Sequence, residues 1–210
     1  DKISKMNNLG KFITLEGVDG AGKTTHIEFI KKYLSDLDIN YVLTREPGGT
    51  ILGERLREIL LHDEMSHETE TILMFAARNE HIDKVIRPNL IKGNVVISDR
   101  FTDATYAYQA GGKGVKDEKI DILKKWVQGS LQPNLTFLFD LSVDISIERL
   151  NKTRTLDKFE REDKNFHENI RQKYLMLAKL SPERFCILNS EKSIEKIQNQ
   201  IKLKLDEVLR

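Results

Sequence analysis

The hydrophobic and polar positions of this chain follow two alternating patterns. Short apolar runs, typical of buried β-strands, occupy residues 11–16, 41–44, 94–98, 135–140 and 184–189. Between them, apolar residues recur every three or four positions, as in amphipathic helices, over residues 23–37, 50–61, 68–91, 103–109, 117–131, 143–180 and 193–209. Strands that alternate with helices predict an α/β fold with a mostly parallel sheet, here of five strands with helices on both faces.

Two residues and one charged segment refine the predicted helices. Thr50 stands where an N-cap is needed for the helix that ends near residue 61. Pro88 predicts a kink or a break near the end of the helix over 68–91, because proline cannot donate a backbone hydrogen bond. A charged segment, residues 149–163, separates two helices within 143–180.

Composition narrows the class of protein. A chain of 210 residues fits a single domain, 1–210, and its net charge of +1 argues against wrapping nucleic acid or binding membranes through a basic patch. No apolar run approaches 18 residues, and residues 1–12 lack a signal-peptide pattern, so we expect neither a membrane span nor secretion. The lone Cys186 rules out an intrachain disulfide and is expected to be an inert buried thiol, which favours the cytoplasm.

The first predicted strand leads directly into a phosphate-binding motif. The segment GVDGAGKT, residues 17–24, matches G-x-x-x-x-G-K-[ST] and opens the first predicted helix. Glycines let backbone amides turn toward a phosphate, and the positive end of the helix points at the same anion. Lys23 is expected to reach the β- and γ-phosphates, and the Thr24 hydroxyl to ligate Mg²⁺. The predicted ATP-binding residues are Gly17, Gly20, Ala21, Gly22, Lys23, Thr24 and Thr25.

This motif alone leaves three classes of protein open: GTPase switches, motor ATPases and small-molecule kinases. A GTPase reads guanine with Asn-Lys-x-Asp, and the nearest string here, residues 151–154, ends in Arg154 instead of aspartate. A motor ATPase needs a longer chain and an arginine that faces a neighbouring subunit, neither of which we identify. A small-molecule kinase therefore fits best.

Four sequence blocks together resemble the thymidylate kinases. They are FITLEGVDGAGKTT at 12–25, TREPGGT at 44–50 with Gly53, Glu54 and Arg57 after it, SDRF at 98–101, and Tyr108-Gln109. The resemblance covers nearly the whole chain. It implies a nucleoside monophosphate kinase fold and transfer of the γ-phosphoryl group of ATP to dTMP with Mg²⁺. It also implies a homodimer. A kinase for another small acceptor and a nucleotide-dependent switch are the alternatives.

The resemblance assigns roles to several charged residues at strand ends. Arg45 and Arg100 would clamp the phosphate of dTMP, although either could be an ordinary surface arginine. Asp99 would help to hold Mg²⁺, unless it only caps the following turn. Asp19 would face the sugar of the acceptor, with stabilisation of its own turn as the alternative.

The resemblance also implies a site for the base. Phe75 and Arg78 lie three apart on one helix, so that the ring could stack on thymine while the guanidinium donates to its O4. The family usually spaces these two residues four apart, which here selects Met74, and Phe75 could belong to the core. Thr105 and Tyr108 resemble positions that touch thymine and exclude a ribose 2′-hydroxyl.

The charged segment 149–163 resembles the lid that closes over ATP in nucleotide kinases, although such a run is more often a solvated surface. Gly20 stands where another subclass of the family carries arginine in the phosphate loop. The resemblance therefore implies that the lid supplies the catalytic arginine, with Arg154 the first choice and Arg149 the next. Residues 189–193 would hold the adenine.

Overall fold

The computed structural model describes residues 9–150, 152 and 156–210, and it contains a five-stranded parallel sheet. The strands are β1 (Phe12–Gly17), β2 (Tyr41–Arg45), β3 (Val95–Asp99), β4 (Leu135–Asp140) and β5 (Phe185–Asn189). Their spatial order is β2-β3-β1-β4-β5, and every neighbouring pair is parallel. The predicted fold class is confirmed, with each strand within two residues of its predicted bounds.

The α-helices of the described residues follow the predicted order. They are α1 (Lys23–Asp36), α2 (Ile51–His62), α3 (His67–His81), α4 (Arg87–Ile91), α5 (Thr102–Thr105), α6 (Asp117–Val127), α7 (Val143–Leu150), α8 (Lys164–Leu180) and α9 (Ile194–Leu209). Thr50 caps α2 as predicted, since its side chain accepts from the amide of Gly53. The last predicted turn of α6, residues 128–131, is not helical, because the chain leaves the helix through Gly129 at a φ of 59°.

Two predicted helices contain π-helical segments that the sequence pattern did not reveal. The helix predicted over 68–91 changes at Ile82–Ile86, where the amide of Arg87 donates to the carbonyl of Ile82, five residues back. The disruption therefore lies one turn before Pro88. The helix predicted over 103–109 is a short α-helix followed by the π-helical segment Tyr106–Gly112. π-helical turns are rare and occur often beside functional sites.

Helices cover both faces of the sheet, because neighbouring residues of β1 point in opposite directions. Phe12 packs with Ile82 and Ile86 on one face. Ile13 belongs to a cluster that includes Ile30 of α1 and Ile201 of α9 on the other face. With both faces buried, the carboxyl-terminal edge of the sheet is where loops can form a site. Within the described residues, no helix combines the length and apolar character needed to cross a bilayer.

Candidate active site

The phosphate loop, residues 17–22, joins β1 to α1 in a conformation that requires glycine. Gly17, Gly20 and Gly22 have φ angles of 140°, 79° and 84°. A Cβ on Gly17 would lie 2.4 Å from the carbonyl oxygen of Phe139, so any side chain there would clash with β4. Gly22 begins α1 without a side-chain cap. The first amides of α1 are therefore available to an anion such as a phosphate.

Lys23 and Asp99 form an ion pair beside this loop, with 3.0 Å between Nζ and Oδ1. Burial raises the pKa of Asp99, but the positive charges of Lys23 and Arg100 outweigh it, so the pKa lies below its ordinary value. The carboxylate is therefore ionised at neutral pH. Thr24 and Thr25 follow Lys23 in the first turn of α1 and are exposed. One ionised carboxylate and one hydroxyl suit Mg²⁺ that is also bound by phosphates and water.

Two cavities meet at the carboxyl-terminal edge of the sheet. The first, which we call the donor cavity, has a volume of about 570 Å³. It is lined by Asp19, Gly20, Ala21, Gly22, Lys23, Thr24, Arg45, Glu46, Arg57, Asp99, Arg100, Arg149, Leu150, Lys152 and Glu160. It contains most of the residues predicted to bind ATP, together with Asp99 and Arg149.

The second cavity, the acceptor cavity, has a volume of about 470 Å³. Its walls include four residues predicted to bind the acceptor base or sugar, namely Asp19, Arg78, Thr105 and Tyr108. Four residues line both cavities, namely Asp19, Glu46, Arg57 and Arg100. The two cavities therefore meet at one junction that carries two arginines and two carboxyl groups, so that a ligand in either cavity can contact the same guanidinium groups.

Arg100 is held at this junction in a conformation that few residues adopt. Its φ is 69°, in the left-handed region, and its carbonyl accepts a hydrogen bond of 2.6 Å from Ser98 Oγ. Its Nη2 donates to Asp19 Oδ1 at 2.7 Å and to Tyr108 Oη at 2.8 Å. Tyr108 in turn donates to Asp19 Oδ2 at 3.0 Å. The structure thus brings three predicted site residues into one hydrogen-bonded group.

Asp19 is ionised within this group. Burial raises the pKa of Asp19, but Arg100 and Lys23 lower it by more, and the result lies below the ordinary value. The Arg100 Nε is buried and makes no hydrogen bond within the described residues. The Arg100 side chain is 21% exposed and lines both cavities, so its guanidinium can contact an anion that arrives with a substrate.

Two more arginines face the junction. Arg45 forms two hydrogen bonds to Glu54, of 3.2 and 2.6 Å, and Arg57 donates to the carbonyl of Pro47 at 3.0 Å. Burial lowers the pKa of Arg57, and the charges of Arg45 and Arg100 lower it further. Arg45 and Arg100 are each paired with a carboxylate, and Arg57, which donates to a backbone carbonyl, adds a positive charge that favours binding of an anion here.

Arg78 lines the acceptor cavity and is almost entirely buried, with 2% of its side chain exposed. Its Nε donates to Glu46 Oε2 at 2.7 Å, and its Nη2 donates to the carbonyl of Phe101 at 3.2 Å and to Thr105 Oγ1 at 3.1 Å. Its Nη1 makes no hydrogen bond within the described residues. Arg78 and Thr105 are therefore brought together, as the resemblance implied.

Phe75 does not reach either cavity, and this corrects the expectation that its ring stacks on a base. Its side chain is buried with Tyr106, Val115 and Ile120, and the guanidinium carbon of Arg78 lies 4.7 Å from its ring centroid. Met74 lines the acceptor cavity instead. Successive helical residues differ by about 100° in direction, so residue 74, four before Arg78, faces the cavity and residue 75 faces the core.

The described part of the predicted lid contacts both cavities. Arg149 donates to the carbonyl of Gly20 at 3.2 Å and lines the donor cavity, whereas Arg154 lies outside the described residues. Residues 156–159 and Arg161 line the acceptor cavity. Lys158 lies 3.0 Å from the buried Glu70 on α3, and Phe159 packs edge-on against Tyr108. Residues 189–193, predicted to hold adenine, line neither cavity.

A buried carboxyl group, Glu16, lies directly before the phosphate loop and was not singled out by the sequence. It accepts hydrogen bonds from the amide of Phe101 at 2.8 Å and from Tyr174 Oη at 2.7 Å. Burial, and then the negative charge of Asp103, raise the pKa of Glu16 from 4.5 to about 8. Glu16 thus links the phosphate loop, the segment after Arg100 and helix α8.

This raised pKa predicts how stability depends on pH. Folded Glu16 keeps a proton that the unfolded chain loses above pH 4.5, so its contribution to stability decreases from about pH 4.5 to 8. Glu16→Gln carries no titrating proton there and can still bond to Phe101 and Tyr174. We expect the free energy of unfolding of Glu16→Gln, relative to the parent, to rise with pH across this range in urea titrations. Parallel pH profiles would contradict the assignment.

Comparison with known proteins decides the family. The family model described as thymidylate kinase matches residues 15–201. The chain belongs to the thymidylate kinase family. It is 54% identical to the thymidylate kinase of Methylobacillus flagellatus over 91% of this chain and 95% of that protein. It is also 54% identical to that of a Janthinobacterium species, over 92% and 95%.

A solved structure agrees with the family assignment. The crystal structure of thymidylate kinase from Ehrlichia chaffeensis matches with a TM-score of 0.76 and 33% identity, over 94% of this chain and 98% of that one. The family and the P-loop kinase fold predicted from the sequence are therefore confirmed. Membership of a kinase family makes this protein a phosphotransferase and removes the switch and motor alternatives.

The sequence did not predict the role of three residues that contribute to the site. Two of them, Glu46 and Arg57, belong to a sequence block described above, and the third is His81. Arg57 and Glu46 line both cavities, and His81 bonds to Glu46 at 2.7 Å. Arg57 could have been found, because it lies two turns after the start of α2 and follows Glu54, the partner of Arg45. The pairing of Glu46 with Arg78 joins residues 32 apart, and no local pattern indicates it.

Proposed function

We propose that this protein transfers the γ-phosphoryl group of ATP to dTMP, giving ADP and dTDP. The observation that carries the proposal is the junction of the donor and acceptor cavities, where Arg57, Arg100 and Asp19 face both. The donor cavity is lined by the phosphate loop, and the acceptor cavity by Arg78, one nitrogen of which has no hydrogen bond within the described residues. The names of the similar proteins support the same reaction.

The chemistry requires positioning and charge neutralisation more than a general base. The second pKa of a phosphate monoester is about 6, so the attacking oxygen of dTMP is already largely ionised at neutral pH. Loop amides and Lys23 would bind the β- and γ-phosphates of ATP, and Arg45, Arg57 and Arg100 would bind the phosphate of dTMP. These cations would bring two anions together and stabilise the charge that spreads over the transferred group.

Mg²⁺ would bind between the phosphates, Thr24 and Asp99. The ionised Asp99 and the exposed Thr24 hydroxyl are the two protein ligands that such a site needs. The ion would neutralise charge on the β- and γ-phosphates. Asp99 also contacts Lys23, which fixes the position of the ammonium group next to the phosphate loop.

The base would lie between Met74 and the segment that carries Thr105 and Tyr108, with Arg78 as a donor to its O4 carbonyl. Asp19 and Tyr108, which line the same cavity and bond to each other, would face the sugar. A cytosine presents an amino group where thymine has O4. Leaving Arg78 opposite that group costs about 1–3 kcal/mol, which favours dTMP over dCMP.

The segment 149–163 would act as a lid over both substrates. Its described residues line the donor and the acceptor cavity, so closure would exclude water from the junction. Gly20 leaves Lys23 as the one cation within residues 17–24, and we propose that the lid supplies a catalytic arginine. Arg149 already contacts the phosphate loop, and Arg154 is the other candidate.

An assay of ADP release with different monophosphates tests the function. We expect the highest kcat/KM with dTMP, a lower value with dUMP, and values at least about tenfold lower with dCMP and the purine monophosphates. If a purine monophosphate or dCMP is the best acceptor, the protein is a kinase of another monophosphate and the thymidylate assignment is wrong. Loss of all activity on removal of ATP is the control.

We further propose a homodimer that works in the cytoplasm, where ATP is available, without nucleic acid or membrane partners. The helices α3 and α6 present an apolar groove that includes Ile72 and Trp126, and 82% of Trp126 is exposed. Exposed apolar patches of this kind mark contact surfaces. Light scattering should give the mass of two chains, and a monomeric mass at micromolar concentration would reject the dimer.

A further inference from the structure

Arg78 is the last member of a buried chain of hydrogen bonds. Thr44 Oγ1 lies 2.6 Å from His81 Nε2, and His81 Nδ1 lies 2.7 Å from Glu46 Oε1. The other oxygen of Glu46 accepts from Arg78 Nε at 2.7 Å. At most 4% of the side chain is exposed for Arg78, His81 and Glu46. This chain, Thr44–His81–Glu46–Arg78, joins the end of β2 to helix α3.

The chain leaves one nitrogen of Arg78 unused. Nε bonds to Glu46, and Nη2 bonds to the carbonyl of Phe101 and to Thr105. Nη1 is buried and makes no hydrogen bond within the described residues, and Arg78 lines the acceptor cavity. A guanidinium held at two of its three nitrogens cannot rotate, so its remaining donors keep one direction.

The loop between β2 and α2 packs directly on this chain. A Cβ added to Gly49 would lie 2.5 Å from Thr44 Oγ1 and 2.6 Å from His81 Nε2. The same loop contains Glu46. In this loop the carbonyl of Pro47 accepts a hydrogen bond from Arg57, and the amide of Gly49 donates one to Glu54. The packing of Gly49 thus fixes Thr44 and His81, the residues that hold Glu46 through hydrogen bonds, and Glu46 lines both cavities.

We propose that Glu46, oriented by His81 and Thr44, is the positioning residue that makes Arg78 a fixed donor and so sets the discrimination between a carbonyl and an amino group on the base. The inference rests on the proposed function, in which Arg78 faces the base. Arg78 can discriminate between the two bases only if its guanidinium is fixed. A guanidinium that could turn would move its N–H away from a cytosine amino group, and cytosine would then bind at little cost in free energy. A donor that cannot turn is left unpaired, and the wrong base is rejected.

Glu46→Gln tests the proposal with three acceptors. The amide can still occupy both hydrogen-bonding positions, but the charge that holds Arg78 is lost. We expect the ratio of kcat/KM for dTMP to that for dCMP to fall by at least about tenfold. The ratio for dTMP to dUMP should change by less than about threefold, because dUMP presents the same carbonyl as dTMP and lacks only the methyl group.

Thr44→Val is a second variant that leaves Glu46 and Arg78 intact. It removes the hydroxyl that contacts His81, and valine has nearly the shape of threonine. We expect the dTMP to dCMP ratio to fall in the same direction by about threefold or more. Arg45→Ala is the matched control, because Arg45 lines the donor cavity and does not line the acceptor cavity that contains Arg78. It should weaken both acceptors by the same factor, so that its ratio stays at the parental value.

The outcomes distinguish a failure of the proposed function from a failure of the positioning role of Glu46. If the parent does not prefer dTMP to dCMP, the proposed function fails. If the parent prefers dTMP and folded Glu46→Gln and Thr44→Val both keep the parental ratio, the positioning role is wrong. If Glu46→Gln lowers the dTMP to dCMP ratio and the dTMP to dUMP ratio by the same factor, the substitution disturbs the whole acceptor cavity, and the positioning role is also wrong.

Discussion

Lys23→Ala is expected to lower kcat by at least about 10³ while the protein remains folded. The ammonium group is the cation of the phosphate loop, and Asp99 holds it 3.0 Å away at the end of β3. Charge that develops on the transferred group is stabilised by such a fixed cation far better than by water. The ion pair lies at the edge of the donor cavity, with 37% of the Asp99 side chain exposed, so its loss does not leave an isolated charge in the core.

The matched control is Lys32→Ala on the same helix. Lys32 pairs with Asp36 on the exposed side of α1 and lines neither cavity, so we expect kcat to stay within about twofold of the parent. Coupled assays and thermal unfolding of both variants separate catalysis from folding. Folded Lys23→Ala with kcat within tenfold of the parent would remove the phosphate loop from the mechanism.

The sequence predicted the sheet and the phosphate loop well, because both are encoded locally. Apolar runs identify buried strands, and the glycines of residues 17–22 are needed at positive φ angles wherever such a loop binds phosphate. Arg45, Asp99 and Arg100 could also be placed at one edge, since parallel strands all end there. These inferences use only the order of residues in the chain.

The side of helix α3 that faces the cavity could not be predicted from the residues alone. Phe75 and Met74 are both apolar, and a difference of one position turns a side chain by about 100°. The π-helical segment Tyr106–Gly112 is likewise invisible to a period of 3.6 residues, although it sets the position of Tyr108. Both features are decided by packing between elements far apart in the chain.

The supporting residues of the site were the hardest to predict, because their partners are distant in sequence. Glu16 meets Tyr174, 158 residues later, and Glu46 meets Arg78 on another helix. From sequence alone, a single glutamate in a strand or loop is expected to lie on the surface, because glutamate is rarely buried. The partners of these buried glutamates are therefore known only from the tertiary structure.

Arg100→Ala is expected to lower kcat/KM for dTMP by at least about 10³, with a large part of the loss in kcat. Arg100 lines both cavities, and its Nε is a buried donor without a partner within the described residues. A guanidinium at the junction can stabilise the charge that develops on the transferred group in the transition state. A residue that contacts only the acceptor contributes mainly to acceptor binding. The variant also leaves Asp19 without its ion-pair partner, and the pKa of Asp19 should rise.

Arg45→Ala provides the contrast within the same cluster. Arg45 is half exposed, is paired with Glu54 and lines the donor cavity, and the family resemblance, not the cavity lining, makes it a ligand of the dTMP phosphate. We expect Arg45→Ala to raise KM for dTMP by about tenfold or more with a smaller change in kcat, as loss of uniform binding predicts. Steady-state kinetics with saturating ATP measure both constants for each variant.

Tyr108→Phe distinguishes catalysis by Arg100 from support of its neighbours. It removes the hydroxyl that bonds to Arg100 and Asp19 but keeps their ion pair of 2.7 Å. If the loss in Arg100→Ala came only from a disturbed Asp19–Tyr108 pair, Tyr108→Phe would lower kcat by a similar factor. A loss in Tyr108→Phe at least about tenfold smaller than in Arg100→Ala would assign the effect to the guanidinium, because the two variants then differ chiefly in the positive charge at the junction.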